Sequence, residues 1–240
     1  MSDLDTLLNG LFTANAQWAK DVEAAEPGFF QESVKGQAPH TLWIGCADSR
    51  VPESVVLGAR PGDVFVHRNI ANQFPLDDVN SKAVLEYAVN FLGVQHGAFP
   101  VVVVHFIFPT YSLPVVVVGH TECGGATACL AAAKRTTFPE HGQLLTIPTL
   151  PYEAPLNQWL EPLTRLAGTL DLSTTPMEEA LPVVVEENVK LQVENLSKTT
   201  TLANAWASND NRRNVRVHGW VYNLNTGLLK DLQVTKGAST

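Results

Sequence analysis

The chain has 240 residues, 24 of them acidic and 16 basic, which gives a formal net charge of −8. Such a negative chain, in which only 17% of the residues are charged, argues against nucleic acid and anionic membranes as partners. The apolar fraction of 45% suffices for a packed core and excludes disorder of the whole chain. The length favours one domain over two, so we expect a single domain over residues 1–240.

Hydrophobic periodicity and turn residues predict the elements in chain order. They are an amphipathic N-terminal helix ending near Pro27–Gly28, strands at 41–45, 64–67 and 115–118, helices at 81–92, 122–134, 153–170, 177–197 and 199–207, and a terminal hairpin of 215–222 and 228–234. Ser81 is predicted to cap its helix, and Pro182 to interrupt the helix in which it lies. Strands that alternate with helices predict an α/β fold with parallel connections.

Residues 87–121 form a run of 35 positions without Asp, Glu, Lys or Arg. About 20 apolar residues span a bilayer, but Pro100, Pro109 and Pro114 interrupt this run and His105 lies inside it. Valine tracts bounded by Pro and Gly are instead typical of strands buried on both faces of a parallel sheet. We therefore expect no membrane partner.

The three cysteines are Cys46, Cys123 and Cys129, an odd number for a disulfide scaffold. The opening residues MSDLDTLLNG have neither the basic start nor the apolar stretch of a secretory signal. Both observations predict reduced thiols and a cytoplasmic location, with metal binding as one use for the thiols. Cys129 is predicted to be a small buried side chain without a role in chemistry.

Cys46, His120 and Cys123 are candidate metal ligands. Cys46 follows one predicted strand and His120 follows another, with Cys123 three residues later at the start of a helix. Open α/β sheets place their sites at the carboxyl ends of parallel strands. Two thiolates and an imidazole select zinc or a similar metal, and three ligands leave a fourth position open for catalysis. The alternative is two buried structural cysteines and a surface histidine.

Asp48 and Arg50 lie two and four residues after Cys46. An arginine that clamps an aspartate fixes one carboxylate oxygen and lowers the pKa of the carboxyl group. The second oxygen is then free to face the metal or a water bound to it. The alternative is a surface ion pair of little energetic value.

Two motifs, CADSR at Cys46–Arg50 and GHTECGG at Gly119–Gly125, together resemble the paired signature of the β-class carbonic anhydrases. The similarity covers most of the chain and extends through RPGD at 60–63, HRNIAN at 67–72, LEYA at 85–88, ENVKLQV at 187–193 and GWVY at 219–222. The resemblance implies a central, mostly parallel sheet of about four parallel strands and an antiparallel edge strand, flanked by helices.

The resemblance also implies roles for residues of the site. Cys46, His120 and Cys123 would bind one zinc ion per chain, and Asp48 with Arg50 would form the catalytic dyad. A zinc-bound hydroxide would then attack carbon dioxide and give bicarbonate and a proton. Family pocket residues correspond to Gln37, Phe65, Ile70 and Tyr87.

The chain is similar to the bicarbonate-regulated subgroup of the family and to its fungal cytosolic members. Trp43, Arg68 and Tyr222 match the positions of a noncatalytic bicarbonate pocket in that subgroup. There the counterpart of Asp48 can swing from its arginine onto zinc and close the site, so we expect a switch sensitive to pH and bicarbonate. The alternative is that Trp43 belongs to the core and Arg68 to an ion pair.

Family members are dimers or higher assemblies. The resemblance therefore implies a homodimer or homotetramer in which the N-terminal helical arm, residues 1–35, packs on a partner subunit. Residues 97–114 depart from the family, because a second valine tract precedes the tract that leads to His120. We interpret 97–114 as an insertion and Val115–Val118 as the family strand.

Two other functions remain open from the sequence. The first is hydrolysis of carbon disulfide or carbonyl sulfide on the same scaffold, which would use the same ligands. The second is binding of zinc or bicarbonate with little turnover, if the insertion makes the site inert. The favoured hypothesis is a carbonic anhydrase whose small-molecule partners are carbon dioxide and bicarbonate.

Overall fold

The computed structural model describes residues 3–92, 114–135, 144–208 and 215–238. Clustering of contacts divides the chain into two compact units, Met1–Ala38 and Pro39–Thr240. The predicted insertion 97–114 lies outside the described residues except for Pro114. Among the helices described, none is long and apolar enough to cross a membrane.

The first unit is a pair of helices joined by a turn at Gly28, whose φ of 87° places it in the left-handed region. The Glu23 carboxylate accepts a hydrogen bond from the Gly28 amide at 2.8 Å. Trp18 and Phe30 pack edge to face, with ring centroids 5.8 Å apart. The two helices are α1 (Asp3–Ala25) and α2 (Phe29–Ser33).

The second unit alternates strands and helices. Its helices are α3 (Glu53–Leu57), α4 (Val79–Tyr87), α5 (Gly124–Arg135), α6 (Pro155–Thr169), α7 (Met177–Ser197) and α8 (Thr200–Ala207), with a 3₁₀ turn at Ile70–Asn72 and a π-helical turn at Ala88–Leu92. Its strands are β1 (Thr41–Cys46), β2 (Val64–Asn69), β3 (Pro114–His120), β4 (Arg216–Asn223) and β5 (Leu228–Lys236).

The five described strands form one sheet in the order β2-β1-β3-β4-β5. The first four are parallel and β5 pairs antiparallel with β4 at the edge. This confirms the predicted fold, including the terminal hairpin. Val115–Val118, the tract assigned to the family strand, lies in β3 and pairs with both neighbouring strands.

Side chains alternate between the two faces of the sheet, as the pleat of a strand requires. The larger core cluster contains Ile44 and Val117 together with buried side chains from α4 to α7. The smaller cluster contains Trp43 and Val116 and is covered in part by α3. Strands this uniformly apolar are typical of a parallel sheet buried on both faces.

The predicted cap of α4 is wrong. Asp78, rather than Ser81, caps the helix, and its carboxylate accepts hydrogen bonds from the backbone amides of Asn80 and Ser81. The Ser81 hydroxyl donates to the same carboxylate. A carboxylate at the helix start satisfies these amides and also faces the positive end of the helix dipole.

The predicted interruption at Pro182 is also wrong, because α7 continues through it. Proline in a helix removes one backbone hydrogen bond. Close packing of the neighbouring side chains of Leu181, Val184 and Val185, all buried in the core, compensates for that loss. The helix is held by its tertiary contacts rather than by local propensity.

Gly219 lies where β4 packs against α7 and β5. A Cβ atom at this position would lie 2.6 Å from Val234 Cγ2 and 2.9 Å from Val189 Cγ1. We expect Gly219→Ala to lower the free energy of unfolding by about 1–3 kcal/mol, because the neighbouring strand and helix must shift. Denaturant unfolding measures this change.

The matched control is Gly10→Ala in α1, where an added Cβ would meet no atom within 4 Å. We expect no loss of stability in this variant. An unchanged unfolding midpoint for Gly219→Ala would contradict the packing of β4 described above.

Candidate active site

Parallel pairing of β1 with β3 brings the candidate ligands to one edge of the sheet. Gly45 pairs with Val118, so Cys46 lies beside the end of the strand that carries His120. Cys123 follows three residues later, immediately before α5. The ligand atoms of Cys46, His120 and Cys123 lie within 4.8 Å of one another, and all three residues are buried.

One nitrogen of the His120 ring is held by the backbone and the other is left for a ligand. Nδ1 donates a hydrogen bond to the Thr121 carbonyl at 2.8 Å. Nε2 is buried and has no hydrogen-bond partner among the described residues. A backbone acceptor at one ring nitrogen fixes the tautomer of a metal-binding histidine, so Nε2 has the properties of a metal ligand.

One thiol donates its proton to the other sulfur in a hydrogen bond, which shifts the pKa values of Cys46 and Cys123 in opposite directions. The hydrogen bond from Cys123 lowers the pKa of the Cys46 thiol, and the same bond together with burial raises the pKa of Cys123. Burial alone lowers the pKa of His120, but the nearby Cys46 sulfur and the bond to the Thr121 carbonyl outweigh burial and raise it. A metal cation would replace this proton and favour two thiolates with a neutral imidazole.

These observations fit a bound metal ion. Two sulfurs and one imidazole nitrogen are the donors that metals with a preference for thiolate require. The orphaned Nε2 atom faces the same point as the two sulfurs. A buried polar atom without a partner is costly, and metal binding would remove that cost.

Asp48 and Arg50 form a two-pronged pair at the border of the ligand cluster. Arg50 Nε donates to Asp48 Oδ1 at 3.0 Å, and Arg50 Nη2 donates to Oδ2 at 2.8 Å. The prediction that one oxygen is held by arginine is therefore incomplete, since both are. Asp48 Oδ2 nevertheless lies 3.8 Å from His120 Nε2, so it faces the candidate metal ligands.

Arginine keeps this aspartate ionised. The hydrogen bond from the Arg50 side chain holds the pKa of Asp48 well below its usual range. Arg50 also donates to the Glu122 carbonyl at 3.2 Å, which ties the segment of the dyad to the segment of Cys123. Asp48 thus presents a fixed carboxylate beside the candidate ligands.

The predicted pocket residues occupy three places in the chain. Phe65 and Tyr87 stack, with ring centroids 5.8 Å apart. Ile70 lines a cavity of about 540 Å³ together with Ala47, the residue next to Cys46. Gln37 belongs to the N-terminal unit, where its side chain is exposed.

Trp43, Arg68 and Tyr222 share one face of the sheet. Trp43 is fully buried in the smaller core cluster, and Tyr222 packs against that cluster. The Trp43 indole nitrogen has no hydrogen-bond partner in the described structure. It lies over Gly45, where a Cβ atom would be only 2.1 Å from the indole nitrogen, so glycine is required there.

Arg68 connects β2 to the site. Its Nε donates to the Cys46 carbonyl at 2.8 Å, and its Nη2 donates to the Asp48 carbonyl. Its Nη1 lies 3.7 Å from Glu53 Oε2. Sequence reasoning missed Glu53, although an acidic residue three positions after Arg50 was a usable signal.

The carbonyl groups of Thr121 and Glu122, which hold His120 and Arg50, gave no signal in the sequence, because any residue type provides a carbonyl.

Cys129 is fully buried and its sulfur donates to the Leu160 carbonyl at 3.6 Å. It is outside the ligand cluster, as predicted.

Comparisons with known proteins agree with this geometry. The family model described as "Carbonic anhydrase" matches residues 41–105 and 112–229. The unmatched residues 106–111 fall within the predicted insertion. A carbonic anhydrase of Emericella nidulans is 34% identical over 227 residues, which cover 93% of this chain and 82% of that protein.

Solved structures show the same fold. A tetrameric β-carbonic anhydrase of Sordaria macrospora has a TM-score of 0.72 and 32% identity, with 96% of this chain and 99% of that chain covered. A β-carbonic anhydrase of Coccomyxa has a TM-score of 0.74 and 29% identity, with coverages of 98% and 89%. The family match, the fungal relatives and the shared fold lead to one conclusion: this chain belongs to the β-carbonic anhydrase family, as the two motifs predicted.

Proposed function

We propose that this chain catalyses the zinc-dependent, reversible hydration of carbon dioxide to bicarbonate and a proton. One observation carries the proposal. Three buried soft ligand atoms lie within 4.8 Å of one another, and a carboxylate oxygen of Asp48 lies 3.8 Å from the free nitrogen of His120. Family membership supports the reaction, and the donor set supports zinc as the metal.

Cys46, His120 and Cys123 would hold one zinc ion per chain. Zinc, when bound, lowers the pKa of a water ligand and so supplies a nucleophile near neutral pH. Two thiolates would neutralise the formal charge of the metal, so this water would be less acidic than one on a zinc ion with three histidines. A nearby acceptor for its proton is correspondingly more important.

Asp48 would accept a hydrogen bond from this water. Its carboxylate stays ionised because Arg50 holds it on both oxygens. Oδ2 faces the ligand cluster and retains a second lone pair for an incoming O–H group. The function of Arg50 is therefore to orient Asp48, and that of Asp48 is to orient the nucleophile.

The substrate is small, linear and uncharged, which suits apolar walls. Ile70, Leu156 and Trp159 supply such walls in the cavity that Ala47 joins to the ligand segment. The stacked rings of Phe65 and Tyr87 complete the proposed pocket by resemblance.

A homo-oligomer is the proposed assembly. The Sordaria macrospora relative is described as tetrameric. The N-terminal helix α1 buries none of its residues, although it presents a row of large apolar side chains, Leu4, Leu7, Leu8, Leu11 and Phe12, that are 46–74% exposed. Such a face supports packing of residues 1–35 on a partner subunit.

Two further proposals concern the insertion and the location. The place of Val115–Val118 in the sheet supports an insertion at 97–114. Within this segment the family model leaves 106–111 unmatched and matches 97–105 and 112–114. The free thiols of Cys46, Cys123 and Cys129 support the reducing environment expected of the cytoplasm.

We also propose that Trp43, Arg68 and Tyr222 form a regulatory bicarbonate site. The unpartnered Trp43 indole N–H can donate to an anion, and a guanidinium offers two donors to a planar one. Arg68 now holds the carbonyl groups of Cys46 and Asp48. An anion that draws Arg68 away would free this segment and weaken the pairing of Asp48 with Arg50.

The ligand assignment is tested by Cys46→Ser. A serine oxygen is a harder donor with a much higher pKa than a thiol, so we expect zinc content to fall from about one ion per chain to a small fraction. Elemental analysis of the purified protein measures it. The control is Cys129→Ala, which removes a buried thiol outside the cluster and should retain full zinc. Full zinc in Cys46→Ser would refute the assignment.

The dyad is tested by Asp48→Asn in a stopped-flow assay of carbon dioxide hydration. We expect kcat/KM to fall by about 10²–10⁴-fold, because the amide cannot accept the same charge-assisted hydrogen bond. Zinc content should be unchanged. Glu161→Gln is a matched control, since it breaks another carboxylate–arginine pair, with Arg165 on α6, and should leave the rate unchanged.

The same assay separates the functions that the sequence left open. Full zinc occupancy without hydration in the unmodified protein would favour the binding protein. Turnover of carbon disulfide or carbonyl sulfide in place of carbon dioxide would favour the hydrolase.

The regulatory site is tested by activity as a function of pH and bicarbonate. We expect the unmodified protein to lose activity from alkaline to mildly acidic pH, more steeply with added bicarbonate, and Arg68→Ala to lose this dependence. Arg165→Ala removes a partly exposed arginine and should keep the dependence. A flat profile that Arg68→Ala does not alter would show that the switch is absent.

A further inference from the structure

The loop that joins β2 to α4 has a backbone conformation that its residues do not favour. Ala71 has φ 60° and Asn72 has φ 46°, both in the left-handed region where residues with a Cβ atom are uncommon. Such a conformation persists only when the surrounding structure holds it. Ile70, the proposed pocket wall, immediately precedes this pair.

Three side chains of α7 hold the loop, and we call Asn188, Gln192 and Asn195 the amide ladder. Asn188 Nδ2 donates to the Ala71 carbonyl at 2.9 Å. Gln192 Oε1 accepts from the Phe74 amide at 2.8 Å, and Asn195 Nδ2 donates to the Phe74 carbonyl at 3.2 Å.

The members of the amide ladder also bond to one another. Gln192 Nε2 donates to Asn188 Oδ1 at 2.9 Å, and Asn195 Nδ2 donates to Gln192 Oε1 at 3.2 Å. Asn188 and Gln192 are only 2% and 3% exposed. A helix satisfies its own interior backbone groups, so α7 does not need these buried amides. Their hydrogen bonds serve the loop.

Helix α6 also fixes the loop through hydrogen bonds. Trp159 Nε1 donates to the Ile70 carbonyl at 2.9 Å, and Gln73 Nε2 donates to the Trp159 carbonyl at 2.8 Å. The Asn69 side chain closes the loop on itself through both backbone groups of Gln73. Residues on both sides of Ala71 are thus fixed.

The loop in turn touches the site on two sides. Its Asn69 carbonyl accepts from the Ala47 amide at 2.8 Å, beside the ligand Cys46. Its Ile70 side chain is 42% exposed and lines the cavity of about 540 Å³. A shift of the loop would therefore move the apolar wall of that cavity.

We propose that Asn188 and Gln192 are positioning residues that hold Ile70 at the wall of the carbon dioxide pocket. The inference rests on the proposed function, since it assigns a substrate to that wall. The amide ladder does not touch the substrate. It acts by holding Ala71 and Asn72 in the left-handed conformation that places Ile70.

A double-mutant cycle in the zinc-loaded enzyme tests whether Asn188 acts on the pocket through Ile70. We expect Asn188→Leu, which removes the bond to Ala71 at similar volume, to raise KM for carbon dioxide about fivefold and to change kcat by less than about twofold. Ile70→Ala should raise KM similarly. Adding Asn188→Leu to the Ile70→Ala variant should then not raise KM any further. A double variant whose increase in KM is the product of the two single increases would overturn the proposal.

Lys134→Met is the matched control. The Lys134 ammonium also holds a loop, through the carbonyl groups of Leu172 and Thr175, but at the far end of α5 from Cys123. The substitution Lys134→Met should lower the free energy of unfolding and leave KM unchanged. If Asn188→Leu fails to fold, the half-buried Asn195→Ala replaces it, and an unchanged KM in that variant would count against the amide ladder.

Hydrogen–deuterium exchange gives a readout that does not need activity. Gln192→Met removes the acceptor of the Phe74 amide, so exchange in a peptide covering residues 70–75 should accelerate at least tenfold, while Lys134→Met leaves it unchanged. Slow exchange in Gln192→Met would overturn the positioning role. If the unmodified enzyme lacks hydration activity, the proposed function fails. Accelerated exchange in Gln192→Met would still show that the amide ladder fixes the loop.

Discussion

Parallel pairing of Leu42–Gly45 with Val115–Val118 brings the ends of β1 and β3 to one edge of the sheet, and the candidate metal centre depends on it. Cys46 and His120 are 74 positions apart in the chain, and neither could select a metal alone. Burial then deprives the candidate ligand atoms of water as a hydrogen-bond partner. A solvent-exposed imidazole would bond to water, whereas the buried Nε2 of His120 has no hydrogen-bond partner among the described residues.

Charge around the ligands is organised by two arginines with different tasks. Arg50 holds the Asp48 carboxylate and so fixes the orientation of a negative group near the metal ligands. Arg68 holds the backbone of Cys46 and Asp48 instead. Because both arginines act on one short segment, the anion that we propose at Arg68 would alter the dyad without touching Asp48.

Sequence patterns predicted the sheet well because its strands are short apolar tracts bounded by turn residues. They predicted helix ends less well. The cap of α4 moved from Ser81 to Asp78, and Pro182 did not end its helix, because a stronger acceptor and core packing outweighed local preference. The short helix Glu53–Leu57 was not predicted, since five residues are too few to show a period.

The sequence by itself determined the family, the α/β order of the elements and the set of candidate metal ligands, because these depend on residue types at short spacings. Only the tertiary structure decided how Arg68 and Glu53 meet, and why Asn188 and Gln192 are amides. Hydrogen bonds to backbone groups more than 100 residues away, such as that from Asn188 to Ala71, leave no spacing signal in a single sequence. They arise when the fold places a helix beside a strained loop whose backbone groups are buried and must be satisfied.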